Sequence, residues 1–160
     1  MNDPLASYLH DHLAGSTFAI ELLESLRDQY ADTDLGVFAA TVLADVKEDQ
    51  QVLQTIVDRV GKSGVHLKQA TAWLAEKASK LKFRFDEPRG LGTFEALETL
   101  TLGIAGKLGL WRVLAVVSEW DDRVRGYDFS QLATRAQQQH ARVEQWRIQI
   151  ARTALNASSI

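Results

Sequence analysis

Apolar residues recur at three- and four-residue steps along most of the 160-residue chain, the spacing of helices that bury one face. In the first stretch Leu5, Leu9, Leu13, Ile20, Leu23 and Tyr30 share one broad face. Asp3-Pro4 ahead of them reads as an N-cap followed by a first helical residue with no N–H to lose. Helix 1 is therefore predicted from Pro4 to about Tyr30. Asp32-Thr33-Asp34 makes a polar turn with Asp34 as the next cap. Leu35, Phe38, Val42, Val46, Leu53, Ile56 and Val60 then define helix 2, which Gly61 and Gly64 bring to an end.

Residues 65–84 predict a shorter amphipathic helix with Leu67, Ala70, Leu74, Ala78 and Leu81 facing in, broken by Asp86-Glu87-Pro88-Arg89-Gly90. Helix 3, about Leu91 to Trp120, is apolar nearly all round, as suits a central helix or a subunit contact. Gly103, Gly106 and Gly109 each cost it about 1 kcal/mol of propensity relative to alanine. Close approach of another helix backbone is the expected reason. Helix 4 starts near Asp128 or Ser130 and runs to Leu155, with Leu132, Ala136, Val143, Ile150 and Ala154 inward.

Short turns join helix 1 to 2 and helix 3 to 4, so each pair is expected to be antiparallel. The roughly 30 residues between helices 2 and 3 include a helix of about 27 Å, enough to return the chain along the bundle. Helix 3 is then expected to run parallel to helix 2. The fold class is all-α: one domain over residues 1–160, a four-helix bundle of two antiparallel hairpins with a short extra helix in the crossover.

Composition narrows the function classes. The absence of cysteine removes disulfides, thiolate metal sites and cysteine nucleophiles, and suits a cytoplasmic setting. The start, Met1-Asn2-Asp3-Pro4, lacks the basic and apolar runs of a signal peptide. No uninterrupted apolar run approaches the roughly 20 residues of a membrane span. The net charge of −3 conceals an acidic first half and a basic second half, with the division near Gly61. The two halves are expected to attract each other within one bundle or between subunits.

The two hairpins and single crossover resemble the ferritin-like superfamily. Tyr8-Leu9-His10-Asp11-His12-Leu13-Ala14-Gly15 and Trp73-Leu74-Ala75-Glu76-Lys77 are also similar to small uncharacterised bacterial proteins of that type. The resemblance is architectural and covers nearly the whole chain. It implies a di-iron centre built from one Glu on each of two helices and a Glu-x-x-His on each of the others. No Glu-x-x-His occurs here. Helix 2 offers Glu48-x-x-Gln51, with Glu48 on the polar face, and helix 4 offers Gln137-x-x-His140. The site is expected to be degenerate.

Several polar residues nevertheless fall on core faces: His12, Ser16, Arg27, Asp49 with flanking Asp45, Lys107 at an edge, His140 and Arg147. Buried charge demands a partner, so an internal hydrogen-bonded network is the expected reading. The alternative is a metal site of His12, Asp49 and His140, two imidazoles and a carboxylate that suit zinc or iron. Glu24, Glu98 and Glu144 are its candidate supporting carboxylates, and an oxidoreductase or metal-storage role would follow. No catalytic residue is assigned, because no nucleophile or oxyanion donor stands beside these groups.

Between positions 62 and 84, Lys62, Lys68, Lys77, Lys80, Lys82 and Arg84 face only Glu76, with Trp73 on the same side as Lys77 and Lys80. A solvated basic face against the acidic hairpin is expected, with nucleic acid or an anionic surface as the alternative ligand. Trp73, Trp111, Trp120 and Trp146 are read as core or interface anchors. No G-x-G-x-x-G, phosphate loop or His-Glu-x-x-His is present. The sequence thus points to a non-catalytic binding or oligomerising bundle. A homodimer is expected through helix 3 or the side of helix 1 near Phe18 and Leu22.

Overall fold

The computed structural model describes residues 3–61, 72, 76 and 90–158. Four long helices account for most of them: α1 (Pro4–Gln29), α2 (Asp34–Val60), α3 (Leu91–Val117) and α4 (Phe129–Ala154). A single 3-10 turn, Asp122–Val124, lies between α3 and α4. No strand occurs among the described residues. The predicted crossover helix over 65–84 and its basic face, with Lys68, Trp73, Lys77 and Lys80, lie outside them.

The helix ends follow the sequence chemistry. Asp3 caps α1 by accepting from the Leu5 amide at 2.9 Å, with Pro4 at the first helical position. Thr33, rather than Asp34, caps α2 by accepting from the Gly36 amide, and its own hydroxyl donates to the Tyr30 carbonyl at 2.7 Å. Asp128 caps α4 through the Gln131 amide. Gly61 closes α2 at φ 104°, in the left-handed region that costs a residue with a Cβ. At Gly36 the constraint is contact: a Cβ there would sit 2.1 Å from the Tyr30 carbonyl oxygen.

Two contacts fix the helix directions. The Tyr30 hydroxyl at the end of α1 meets the Thr93 hydroxyl at the start of α3, 2.5 Å apart, so these helices are antiparallel. At the other end Arg123 bridges Asp3 before α1 at 2.6 Å and also meets the Val60 carbonyl at the end of α2. α2 and α3 therefore run parallel, and residues 62–89 connect opposite ends of the bundle. α1 packs on α2 and α3, and α4 packs on α3 and α2.

The core is continuous through all four helices. Leu9, Leu23, Leu26, Val42, Ile56, Leu97, Leu100, Leu114, Ala136 and Val143 are all buried. Trp111 packs beside Phe129 with ring centroids 6.3 Å apart. The charge division has a direct consequence in the packing. Arg135 and Arg142 on α4 reach Asp45 and Glu48 on α2, and Arg123 reaches Asp3, so the basic half grips the acidic half within one chain.

Four sequence expectations change. Arg27 does not enter the core but pairs with Asp28 on the surface, its side chain 41% exposed. Leu22 is buried, and Phe18 packs against the core, so that side of α1 is not an exposed apolar face. Among the described residues, Gly103, Gly106 and Gly109 are not sites of close helix approach, because a Cβ at any of the three meets no described neighbour within 4 Å. Finally, α3 is long and apolar enough, by length and composition, to cross a membrane, with a third of its most apolar window buried. Uninterrupted apolar runs miss this because glycines and threonines break the run while keeping the average apolar. A helix at the centre of a bundle meets the same criterion.

Candidate ligand-binding site

On α1 no residue between Leu9 and Leu22 is buried, although the hydrophobic period continues through Leu13 and Ile20. The side chains facing α3 there are small, including Gly15, Ser16 and Ala19, and the facing turns of α3 carry Gly103 and Gly106. Neither helix supplies the volume to fill the space between them. The result is a half-open cavity of about 840 Å³ along α1, α2 and α3, with the exposed Leu102, Gly103 and Gly106 among its lining. Its walls are mostly apolar, with Phe18, Val46, Leu53, Leu100, Ile104 and Leu110 among them. From Glu95 to Trp111 it follows α3 for about 24 Å at 1.5 Å per residue.

One end is polar. Asp49 on α2 is 3% exposed, and its Oδ2 accepts from Lys107 Nζ on α3 at 2.6 Å. Gln139 on α4, fully buried, accepts from the same ammonium through Oε1 and donates from Nε2 to Asp49 Oδ2 at 3.1 Å. Three helices thus meet in one closed triangle of side chains. Arg135 adds its Nε 3.6 Å from Asp49 Oδ1. Burial, the largest influence on Lys107, pulls its pKa below the ordinary lysine value, against the opposing pull of Asp49.

Lys107 and Asp49 both line the cavity, as do His12 and Trp111. His12 packs edge-on against Tyr8, and burial lowers its pKa, partly opposed by Asp11, which favours the neutral imidazole. Among the described residues, the buried Trp111 indole Nε1 and Asp49 Oδ1 find no hydrogen-bond partner. Buried polar atoms of this kind are uncommon. Deeper along α1, Ser16 Oγ accepts from Gln50 Nε2 at 3.0 Å and donates to the Leu13 carbonyl.

The polar residues expected inside are therefore only partly gathered. Asp49 and Lys107 meet, and His12 joins them on the cavity wall. His140 is half-buried on α4, one turn before Glu144. Among the described residues, no group of three or more His, Asp or Glu side chains is placed to hold a metal ion. His12, Asp49 and His140 thus do not form a three-ligand set, and the cation beside Asp49 is the Lys107 ammonium. Arg147 forms a separate cluster with Glu144 at 2.7 Å and Glu98 at 3.0 Å.

Gln139 escaped the sequence reading. It continues the inward row of Leu132, Ala136 and Val143, so the signal was the helical period, and the amide itself carried no charge to draw notice. No protein-family model, curated protein or solved structure matches the chain.

Proposed function

We propose that this chain is a non-catalytic, ligand-binding bundle of the ferritin-like type whose cavity takes one elongated, largely apolar small molecule. The observation that carries the reading is the cavity of about 840 Å³ with apolar walls and a buried charge pair at one end. Ligand sites in folded proteins have this character: a few hundred Å³ or more, apolar lining and a small number of placed polar groups. The helix order and directions support the ferritin-like assignment. In that superfamily, facing helices gather carboxylates and histidines around metal; here a lysine ammonium stands between a carboxylate and an amide.

The test is organic extraction of protein purified without added lipid, followed by mass spectrometry, alongside elemental analysis. A co-purifying apolar molecule that is lost in Gly103→Leu or Gly106→Leu supports the reading. An empty cavity that also fails to take up long-chain alcohols would sink it. Stoichiometric iron or zinc that vanishes in His12→Ala/His140→Ala would favour the divergent metal-binding alternative.

A second reading concerns self-association. Leu102, Val113, Val116 and Trp120 are exposed along α3 and the turn that follows it, and large exposed apolar patches mark contact sites. A homodimer through this row is proposed. Light scattering across a concentration series tests it, with a monomer at every concentration as the contrary result.

A further inference from the structure

The described residues contain two lysines with opposite surroundings. Lys47 on α2 has a side chain 47% exposed, whereas that of Lys107 is 14% exposed and borders the cavity. The Lys107 ammonium donates to Asp49 and Gln139, which leaves its third N–H for whatever enters. An amine offers chemistry that the other lining groups lack, since it adds to carbonyl carbon. Asp49 is already in contact with the ammonium and can accept its proton. Gln139 is bonded to both partners and holds them in register. Desolvation makes the neutral amine more accessible than it is in water.

Charge conservation narrows the chemistry further. A protonated imine carries the same single positive charge as the ammonium, so Asp49 keeps its counter-ion. Acylation would remove that charge and leave Asp49 with only the more distant Arg135 guanidinium, 3.6 Å away, which is unfavourable. The cavity is long and its walls are mostly apolar between Lys107 and the Glu95–Glu98 end, which favours an aldehyde on an elongated hydrocarbon body.

We propose that Lys107 captures an elongated apolar aldehyde as a protonated imine, with Asp49 as proton acceptor and then counter-ion. The proposal rests on the cavity being a ligand site. The Lys107 ammonium first passes a proton to Asp49. The freed nitrogen lone pair forms a C–N bond to the carbonyl carbon as the C=O π pair moves to oxygen, and Asp49 returns its proton to that oxygen. The nitrogen of this adduct, still cationic, gives one proton to Asp49. The carbinolamine oxygen then takes that proton and leaves as water while the nitrogen lone pair closes the C=N bond. The sum is ammonium plus aldehyde giving iminium plus water, with no change of oxidation state.

The experiment treats the full chain with stoichiometric dodecanal and cyanoborohydride at neutral pH, followed by peptide mapping. Labelling of Lys107 is expected to outpace that of Lys47, since Lys107 borders the cavity that would hold the aldehyde and Lys47 does not. Lys107→Arg keeps the charge and should abolish the fast adduct. Should that variant fail to fold, the wild-type map still decides, and Gly106→Leu should slow Lys107 labelling by filling the cavity. Adducts spread over exposed amines with Lys107 unlabelled overturn the proposal. Dodecanol, which cannot form an imine, separates the two failures. If the alcohol binds and Lys107 stays unlabelled, the imine falls and the cavity reading stands. If neither binds, both fall.

Discussion

Lys107 Nζ lies 2.6 Å from Asp49 Oδ2, joining α3 to α2 through the interior rather than over the surface. A buried pair of this kind is costly to break from one side, because the remaining charge has no water to solvate it. Lys107→Met is expected to destabilise the fold by about 3–5 kcal/mol. Lys107→Met/Asp49→Leu should recover much of that loss, since no lone carboxylate remains. Urea unfolding of the wild type and the two variants measures it; equal losses in both variants would show that the pair itself, not its disruption, carries the energy.

The glycines of α3 give a sharper contrast. Gly103→Ala and Gly106→Ala place a methyl group where none of the described residues lies within 4 Å. Each should raise stability by about 1 kcal/mol through helix propensity. Gly36→Ala should do the reverse, because its Cβ collides with the Tyr30 backbone. Thermal melts of the three variants check the signs, and a destabilised Gly106→Ala would contradict the open cavity.

His12 sets a pH dependence. Its folded pKa is lowered from 6.5 by burial, so the unfolded chain binds the proton more readily than the folded one. Above about pH 6.5 both states are neutral at this position and it contributes nothing. As pH falls through 6.5 the unfolded state gains a proton first, and stability drops until the folded pKa is reached. His12→Gln should therefore lose less stability than the wild type between pH 7.5 and 5.5, as read from paired denaturant titrations.

Tyr30 and Thr93 tie the two hairpins at one end through their hydroxyls. Thr93 is 1% exposed, so Tyr30→Phe leaves a buried hydroxyl without this partner at a cost of about 1–2 kcal/mol. Thr93→Val on that background should cost little more. A double-mutant cycle provides the measurement, and strictly additive losses would mean the contact contributes no coupling.

Much of this architecture was legible in the residue pattern because helical spacing, caps and turn chemistry are local. Asp49 was read as inward from its register alone, and Asp3, Gly61 and Asp128 announced helix ends by their own side chains or lack of one. Lys107 was placed at an edge, yet its pairing with Asp49 depends on α2 and α3 facing each other diagonally across the bundle, which no local rule supplies. The glycines of α3 were misread for a related reason. Glycines on one helix imply close packing only if the facing helix advances into the space, and Gly15, Ser16 and Ala19 on α1 do not fill it. Volume is a property of two surfaces, and the sequence displays one at a time.

The parallel course of α2 and α3 separates the described helices into two hairpins whose covalent link runs through residues 62–89. Among the described residues the other links are non-covalent, and besides the shared core they include Tyr30 with Thr93 at one end, Arg123 with Asp3 at the other, and Lys107, Arg135 and Arg142 against the carboxylates of α2. Cutting the chain between the hairpins would turn a folding equilibrium into an association equilibrium. The half-lives of the two pieces together would then depend on concentration and ionic strength, and each hairpin could serve as a probe that reports the presence of the other.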